Sequence, residues 1–264
     1  MKKFMGLENE LSAWTYEDIY KFESFKNHFN KFIKPSDFKK GKLAVRSPEG
    51  LAFYVDGEEL EINTPPVVVN KGFATRLTDA LMIGQNRILQ FGDKHGLEFT
   101  GYSIHWNISR NKKSLLADDF YQGVAVPFRL FGTTPISTGI TLRYYDDNYN
   151  DQGSCNKRKI VKRFELLGDS IVSEEQINAA CLMLASYSYA FESGQSPLGR
   201  IHGTNLYRGK KLDSKFLSKG RKSKIAVCFE DTSNYKTLSA QKYLESFYKW
   251  IHLFVKELGT KSEI

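Results

Sequence analysis

Apolar and polar positions alternate in some stretches of the chain and recur every three to four residues in others. That contrast separates strand candidates from helix candidates before any chemistry is considered. In MGLENELSAW, residues 5 to 14, a strand from Leu7 to Leu11 points Glu8 and Glu10 to the same face. LAFYV and ELEIN flank Asp56-Gly57, a strong signal for a tight hairpin turn, and Pro65-Pro66 ends the second of the two strands. GYSIHWNIS, 101 to 109, alternates cleanly: Tyr102, Ile104, Trp106 and Ile108 share one side, Ser103, His105, Asn107 and Ser109 the other. GITLRYYDD at 139 to 147 and IVKRFELL at 160 to 167 complete the strand candidates.

Helical spacing predicts four helices. Residues 14 to 33 place Phe22, Phe25, Phe29, Phe32 and Ile33 on one stripe before Pro35, and residues 74 to 92 close near Gly92. Residues 173 to 194 carry Ser173 as cap, Gln176 at the capping-box position and Gly194 as stop. The last helix runs from about Ser239 to Leu258; its Tyr243, Phe247, Ile251, Phe254 and Val255 read as core or as an oligomer interface. Short turns join several strands, so the expected class is α+β, with an antiparallel or mixed sheet and helices on one side.

Composition narrows this picture. A chain of 264 residues suffices for one large domain, and 1–264 is read as one, with a helical C-terminal part over about 173–264. Its 38 basic against 30 acidic residues give a net charge of +8, compatible with phosphate-bearing ligands or nucleic acid. The basic segment 208–224 is either a solvated loop or a lid over an anionic substrate. Cys155, Cys181 and Cys228 are scattered, which argues against a disulfide scaffold and a thiolate zinc site. No GxGxxG or GxxxxGK[ST] motif is present, so neither a dinucleotide fold nor a P-loop is supported. No apolar run approaches the ~18 residues of a membrane span. MKKFMGLENEL meets acidic residues too early for a leader, so a cytoplasmic protein without membrane attachment is expected.

Carboxylates then collect on the strand candidates: Glu8 and Glu10; Glu59 and Glu61, with Asn63; Glu165, beside Arg163; His105 and Asn107 add an imidazole and an amide. Two like charges ~6–7 Å apart repel by roughly 2–3 kcal/mol at a typical effective dielectric. A solvated sheet face is the simple explanation for any one pair. Several strands carrying such residues point instead to a cavity where a magnesium- or manganese-like ion sits between acids.

GLENE resembles the G-[hydrophobic]-E-x-E first strand of the carboxylate–amine ligases related to glutamine synthetase and glutamate–cysteine ligase, the amidoligase branch most closely; Pup ligase opens similarly. YVDGEELEINTPP resembles that branch's strand pair, with Asp56 as the turn aspartate and Glu61 ahead of Thr64-Pro65-Pro66. TGYSIHWNIS resembles its [ST]-G-x-H-x-H strand, with His105 on the second histidine and Ser103 on the first. KRFELLGD resembles the R-[IV]-E-x-R-x-x-D strand, giving Arg163 and Glu165, with Leu167 in place of the second arginine. The four elements keep family order over about 5–170.

The resemblance implies a curved, mainly antiparallel sheet of the glutamine synthetase type. It implies an enzyme that uses ATP and Mg2+, with Mn2+ as the alternative ion, to join a carboxylate to an amine through an acyl phosphate. Glu8, Glu10, Glu61 and Glu165 become the metal ligands; Arg163, Glu165 and Glu10 the catalytic set; His105, Arg143 and Asn107 the nucleotide contacts. Asp146, Asp147 or one of the glutamates is the general base, with no choice among them. The implied partners are an amino-acid, peptide or protein carboxylate and an amine acceptor. Two other readings remain. Ser103 and Leu167 motivate a non-catalytic nucleotide-binding or regulatory protein on a degenerate ligase fold, and the net charge motivates a nucleic-acid-binding module.

Overall fold

The computed structural model describes residues 2–14, 45–56, 59–109, 120, 124, 128, 141–144, 163–169, 173–193, 200–201, 224–228 and 235–260. The opening alternation becomes β1 (Phe4–Trp14), on which Met5, Leu7, Asn9 and Leu11 are buried while Glu8 and Glu10 lie on the opposite side. Around it β2 (Val45–Arg46), β3 (Ala52–Asp56), β4 (Glu59–Asn63), β6 (Glu98–Ser109), β7 (Thr141–Tyr144) and β8 (Arg163–Asp169) pair in the order β2-β3-β4-β1-β6-β8-β7, and β5 (Val67–Val68) adds to the end of β1. Each of these pairings is antiparallel. A smaller antiparallel sheet joins β9 (Arg200–Ile201), β10 (Lys224–Cys228) and β11 (Tyr235–Ser239).

Among the described residues three helices pack behind the large sheet: α1 (Phe73–His95), α2 (Glu174–Ser193) and α3 (Ala240–Leu258). The core between them and the sheet takes Leu60 and Ile62 from β4, Ile104, Trp106 and Ile108 from β6, Phe164 and Leu166 from β8, and Phe73, Leu77, Leu81 and Ile88 from α1. Tyr187 of α2 stacks on Phe247 of α3 and its hydroxyl donates to the carbonyl of Phe120 at 2.8 Å. Lys3 is fully buried where β1 meets α2, 2.6 Å from Glu192 and donating to Ser188 Oγ at 2.8 Å. The expected α+β class, with helices on one face of an antiparallel sheet, is the architecture found.

Several boundaries differ from expectation. Trp14 ends a strand rather than starting a helix, because β1 stays paired with β6 to its last residue, Trp14 opposite Glu98. The expected helix over 15–33, the basic segment 208–223, and Asp146 and Asp147 lie outside the described residues. Helix α1 runs through Gly92 to His95 and is capped by Gly96, whose φ of 66° is the left-handed conformation that glycine adopts without strain. A Cβ on Gly92 would meet the carbonyl oxygen of Leu97 at 2.5 Å, so this glycine serves a close approach, not a stop. Asp56 is the last residue of β3 and pairs with Glu59, so it opens the tight connection between β3 and β4 rather than sitting at its centre. The cap predicted at Ser173 forms, its Oγ accepting from the amide of Gln176 at 3.4 Å, and Ser239, read only as the approximate start of the last helix, is its N-cap, Oγ accepting from the amide of Lys242 at 3.2 Å. The face of the last helix bearing Tyr243, Phe247, Ile251 and Val255 is core.

Candidate active site

Register decides which polar side chains meet on the face away from the helices. The ladder sets Glu8 opposite His105 and Glu10 opposite Ser103 on β1 and β6, Glu10 opposite Glu61 on β1 and β4, and Asn107 opposite Glu165 on β6 and β8. These side chains lie on one face because each strand places its apolar neighbours toward the helices. His105 is at the centre and only 3% exposed. Its Nδ1 lies 3.2 Å from Glu8 Oε2 and 3.7 Å from Glu165 Oε1; its Nε2 lies 3.4 Å from Glu10 Oε2 and 2.9 Å from Ser103 Oγ. The Ser103 hydroxyl donates to Glu10. Arg163 is partly exposed above the cluster, with Nη1 3.8 Å from Glu8 and Nη2 3.8 Å from Glu165.

Electrostatics follow from this packing. Burial by itself disfavours the imidazolium, but hydrogen bonds to Glu10, Glu165 and Glu8 outweigh it and push His105 up to about 11. The ring is a cation at neutral pH, holding carboxylates together that would otherwise repel. Glu61, on β4, is 2% exposed; burial pushes it up to about 7, against hydrogen bonds from Tyr54 and Asn63 that pull it down, while Glu8 and Glu10 raise it further. Its Oε1 accepts from both Tyr54 Oη and Asn63 Nδ2, the latter at 2.8 Å. Burial and the Glu61 carboxylate raise the Tyr54 phenol well above its ordinary value.

Ligand atoms of Glu8, His105 and Glu165 lie within 4.8 Å of one another, close enough to converge on one ion. Two carboxylates and an imidazole suit Mn2+ or Mg2+ completed by water, with the nitrogen favouring Mn2+. The buried amide of Asn107, with neither its nitrogen nor its oxygen hydrogen-bonded, also leaves capacity for a ligand group on this face. The donor set therefore fits a divalent cation, provided His105 gives up its proton when it ligates.

The structure thus brings Glu8, Glu10, His105, Arg163 and Glu165 together from β1, β6 and β8. Glu61 lies beside this group but outside the three-residue set that can share one ion. Arg143 is opposite Glu165 in the β7–β8 register, and its side chain is outside the described residues. Sequence reasoning missed two participants. Ser103 entered only as a substitution for a histidine, yet it links Glu10 to His105. Tyr54 is the other: a two-residue turn at Asp56-Gly57 would set it opposite Glu59, and only the register of the structure, with Asp56 opposite Glu59, pairs it with Glu61.

No protein-family model and no curated protein matches the chain. Among solved structures, the complex between the prokaryotic ubiquitin-like protein Pup and its ligase PafA is similar with a TM-score of 0.62 and 11% identity. The match covers 99% of this chain and 61% of that one, so the chain spans less than two thirds of that ligase's length. A structure of PafA in complex with ADP is similar with a TM-score of 0.48 and 9% identity, over 90% of this chain and 60% of that one. The first likeness shows that the chain has the fold of this ligase.

Proposed function

We propose that the protein is an ATP- and Mg2+-dependent carboxylate–amine ligase that forms an amide or isopeptide bond through an acyl phosphate. The observation that carries this reading is the convergence of Glu8, His105 and Glu165 from three strands, beside Glu10 and Glu61, on the open face of a sheet with a ligase fold. The γ-phosphoryl group of ATP passes to a substrate carboxylate oxygen and ADP departs. An amine then attacks the acyl carbon, phosphate leaves, and the nitrogen's proton goes to a base. A divalent ion bound here supplies charge neutralisation of the phosphate oxygens.

The chain's own residues divide the remaining work. Glu8 and Glu165 hold the ion, with His105 as its nitrogen ligand once deprotonated and Glu10 and Glu61 as further carboxylates around the phosphates. Arg163, whose guanidinium is fixed between Glu8 and Glu165 yet reaches solvent, stabilises charge on the transferring phosphoryl group. Asn107 and Arg143 contact the nucleotide. Because the similar ligase is seen with a protein, Pup, the substrate class proposed is a peptide or protein carboxylate with an amine acceptor.

Calorimetric titration with ATP, with and without Mg2+, tests this. ATP binding should require Mg2+ and disappear in the Glu8→Gln/Glu61→Gln variant. Metal-independent affinity that survives the double substitution would count decisively against the ligase. A second reading, a nucleotide-binding regulatory protein without turnover, is favoured by one feature: Ser103 and the imidazolium of His105 already satisfy the carboxylates internally. Mg2+-dependent ATP binding without ADP release in the presence of peptide carboxylates and amines would select it.

A further inference from the structure

The cluster is held from behind as well as from in front. In Glu8-Asn9-Glu10 the middle residue points the other way, into the helix-side core, where Asn9 has no exposed surface. Its amide is satisfied there: Oδ1 accepts from Gln85 Nε2 of α1 at 2.9 Å, and Nδ2 donates to the carbonyl of Ser103 at 2.7 Å and, more weakly, to that of Glu10 at 3.4 Å. These bonds fall where the β1–β6 register changes. Glu10 is opposite Ser103 but Leu11 is opposite Gly101, so Tyr102 is the extra residue of a bulge. Bulges break the ladder locally and re-aim neighbouring side chains. The two peptides that Asn9 ties together carry the side chains that meet on the front face: Ser103 Oγ donates to Glu10 and lies 2.9 Å from His105 Nε2.

We propose that Asn9 and Gln85 are positioning residues: through the bulge they set the Glu10–Ser103–His105 geometry, and α1 is thereby coupled to the ion site. The link to ion binding rests on the functional reading above; the geometric claim does not. The amide does both jobs at once, its nitrogen donating to the bulge carbonyl and its oxygen accepting from the helix.

The test compares the full chain with Asn9→Leu, with Asn9→Leu/Gln85→Leu, and with Ile62→Val, a core substitution beside Asn9 that touches no polar link. The double variant relieves the cost of leaving Gln85 unpaired but still cuts the donation from Asn9 Nδ2 to the Ser103 carbonyl, so it separates the stability of the Asn9–Gln85 pair from the tie to the bulge. Two readouts are taken. The first is the NMR signature of the His105 ring in metal-free protein. In the double variant its resonances should move away from those of the wild type, and in Ile62→Val they should stay. The second is Mn2+ affinity, which should fall about tenfold or more in the double variant, as for other losses of outer-sphere support, and hold in Ile62→Val. A double variant with unmoved His105 resonances overturns the positioning role. A wild-type chain that binds no Mn2+ overturns the ion-site reading alone, since the ring resonances still decide the geometry.

Discussion

Replacing His105 by asparagine removes the one cation buried at the centre of three carboxylates. At 3.2, 3.4 and 3.7 Å from Glu8, Glu10 and Glu165, each attraction is about 5 kcal/mol at an effective dielectric of ~20. Desolvation of the ring and acids offsets most of that sum. The displacement of the ring from 6.5 to about 11 corresponds to about 6 kcal/mol at ~1.4 kcal/mol per tenfold change. Stranding buried charges by removing one partner costs about 3–5 kcal/mol, which is the loss expected for His105→Asn at pH 7. The pH dependence identifies its origin. Because the folded-state value is raised, the imidazolium's contribution is complete below pH 6.5 and is lost as pH rises toward about 11. Urea unfolding in EDTA, from pH 6 to 10, should show a wide gap between wild type and variant near neutrality that narrows as pH rises. A gap under ~1 kcal/mol at pH 7, or one that stays constant to pH 10, would refute the assignment of His105 as the cluster's internal cation.

Three further outcomes are expected. Tyr54→Phe removes one of the two donors on Glu61 Oε1, so a carboxyl already pushed up to about 7 by burial rises further. Mg2+-dependent ATP affinity, to which Glu61 is proposed to contribute around the phosphates, should then fall at pH 7 and recover as the pH is raised and Glu61 ionises; calorimetry across that range reads this directly, and a loss that does not depend on pH would refute it. Lys3→Met leaves Glu192 in the core without its 2.6 Å partner and should lower stability by about 3–5 kcal/mol in urea melts, against little change if the pair contributed nothing. Gly84→Ala drives a methyl to 2.6 Å from Ile62 Cγ2, where α1 crosses β4. That overpacking should cost about 1–3 kcal/mol, and an unchanged melting temperature would mean that helix and sheet separate freely.

Much of the architecture was legible because it is written in local periodicity. The hairpin of β3 and β4, the polar face of β6, the capped start of α2 and the apolar stripe of α3 needed only alternation, turn residues, one cap residue and helical spacing. Gly92 misled because a glycine near a helix end carries no mark telling a stop from a contact, and here the contact is with Leu97, a residue of the following segment. The candidate site was readable in part for the same reason. Period two tells which residues of one strand share a face, so Glu8 with Glu10 and Arg163 with Glu165 could be grouped within their strands.

Pairing between strands distant in sequence is a different matter. The chain's alternation determined that several strands each present acids, an imidazole or a guanidinium on one side and apolar residues on the other. Only the tertiary structure decided that β1 lies between β4 and β6, with β8 next to β6, and that the register brings Glu8, His105 and Glu165 within reach of one ion while Glu61 stands aside with Tyr54. The physical reason is that side-chain direction along a strand is a local property of the pleat, whereas register across strands is set by non-local packing. The bulge at Tyr102, held by an asparagine on the far side of the sheet, is a term of that packing which no local pattern in the sequence displays.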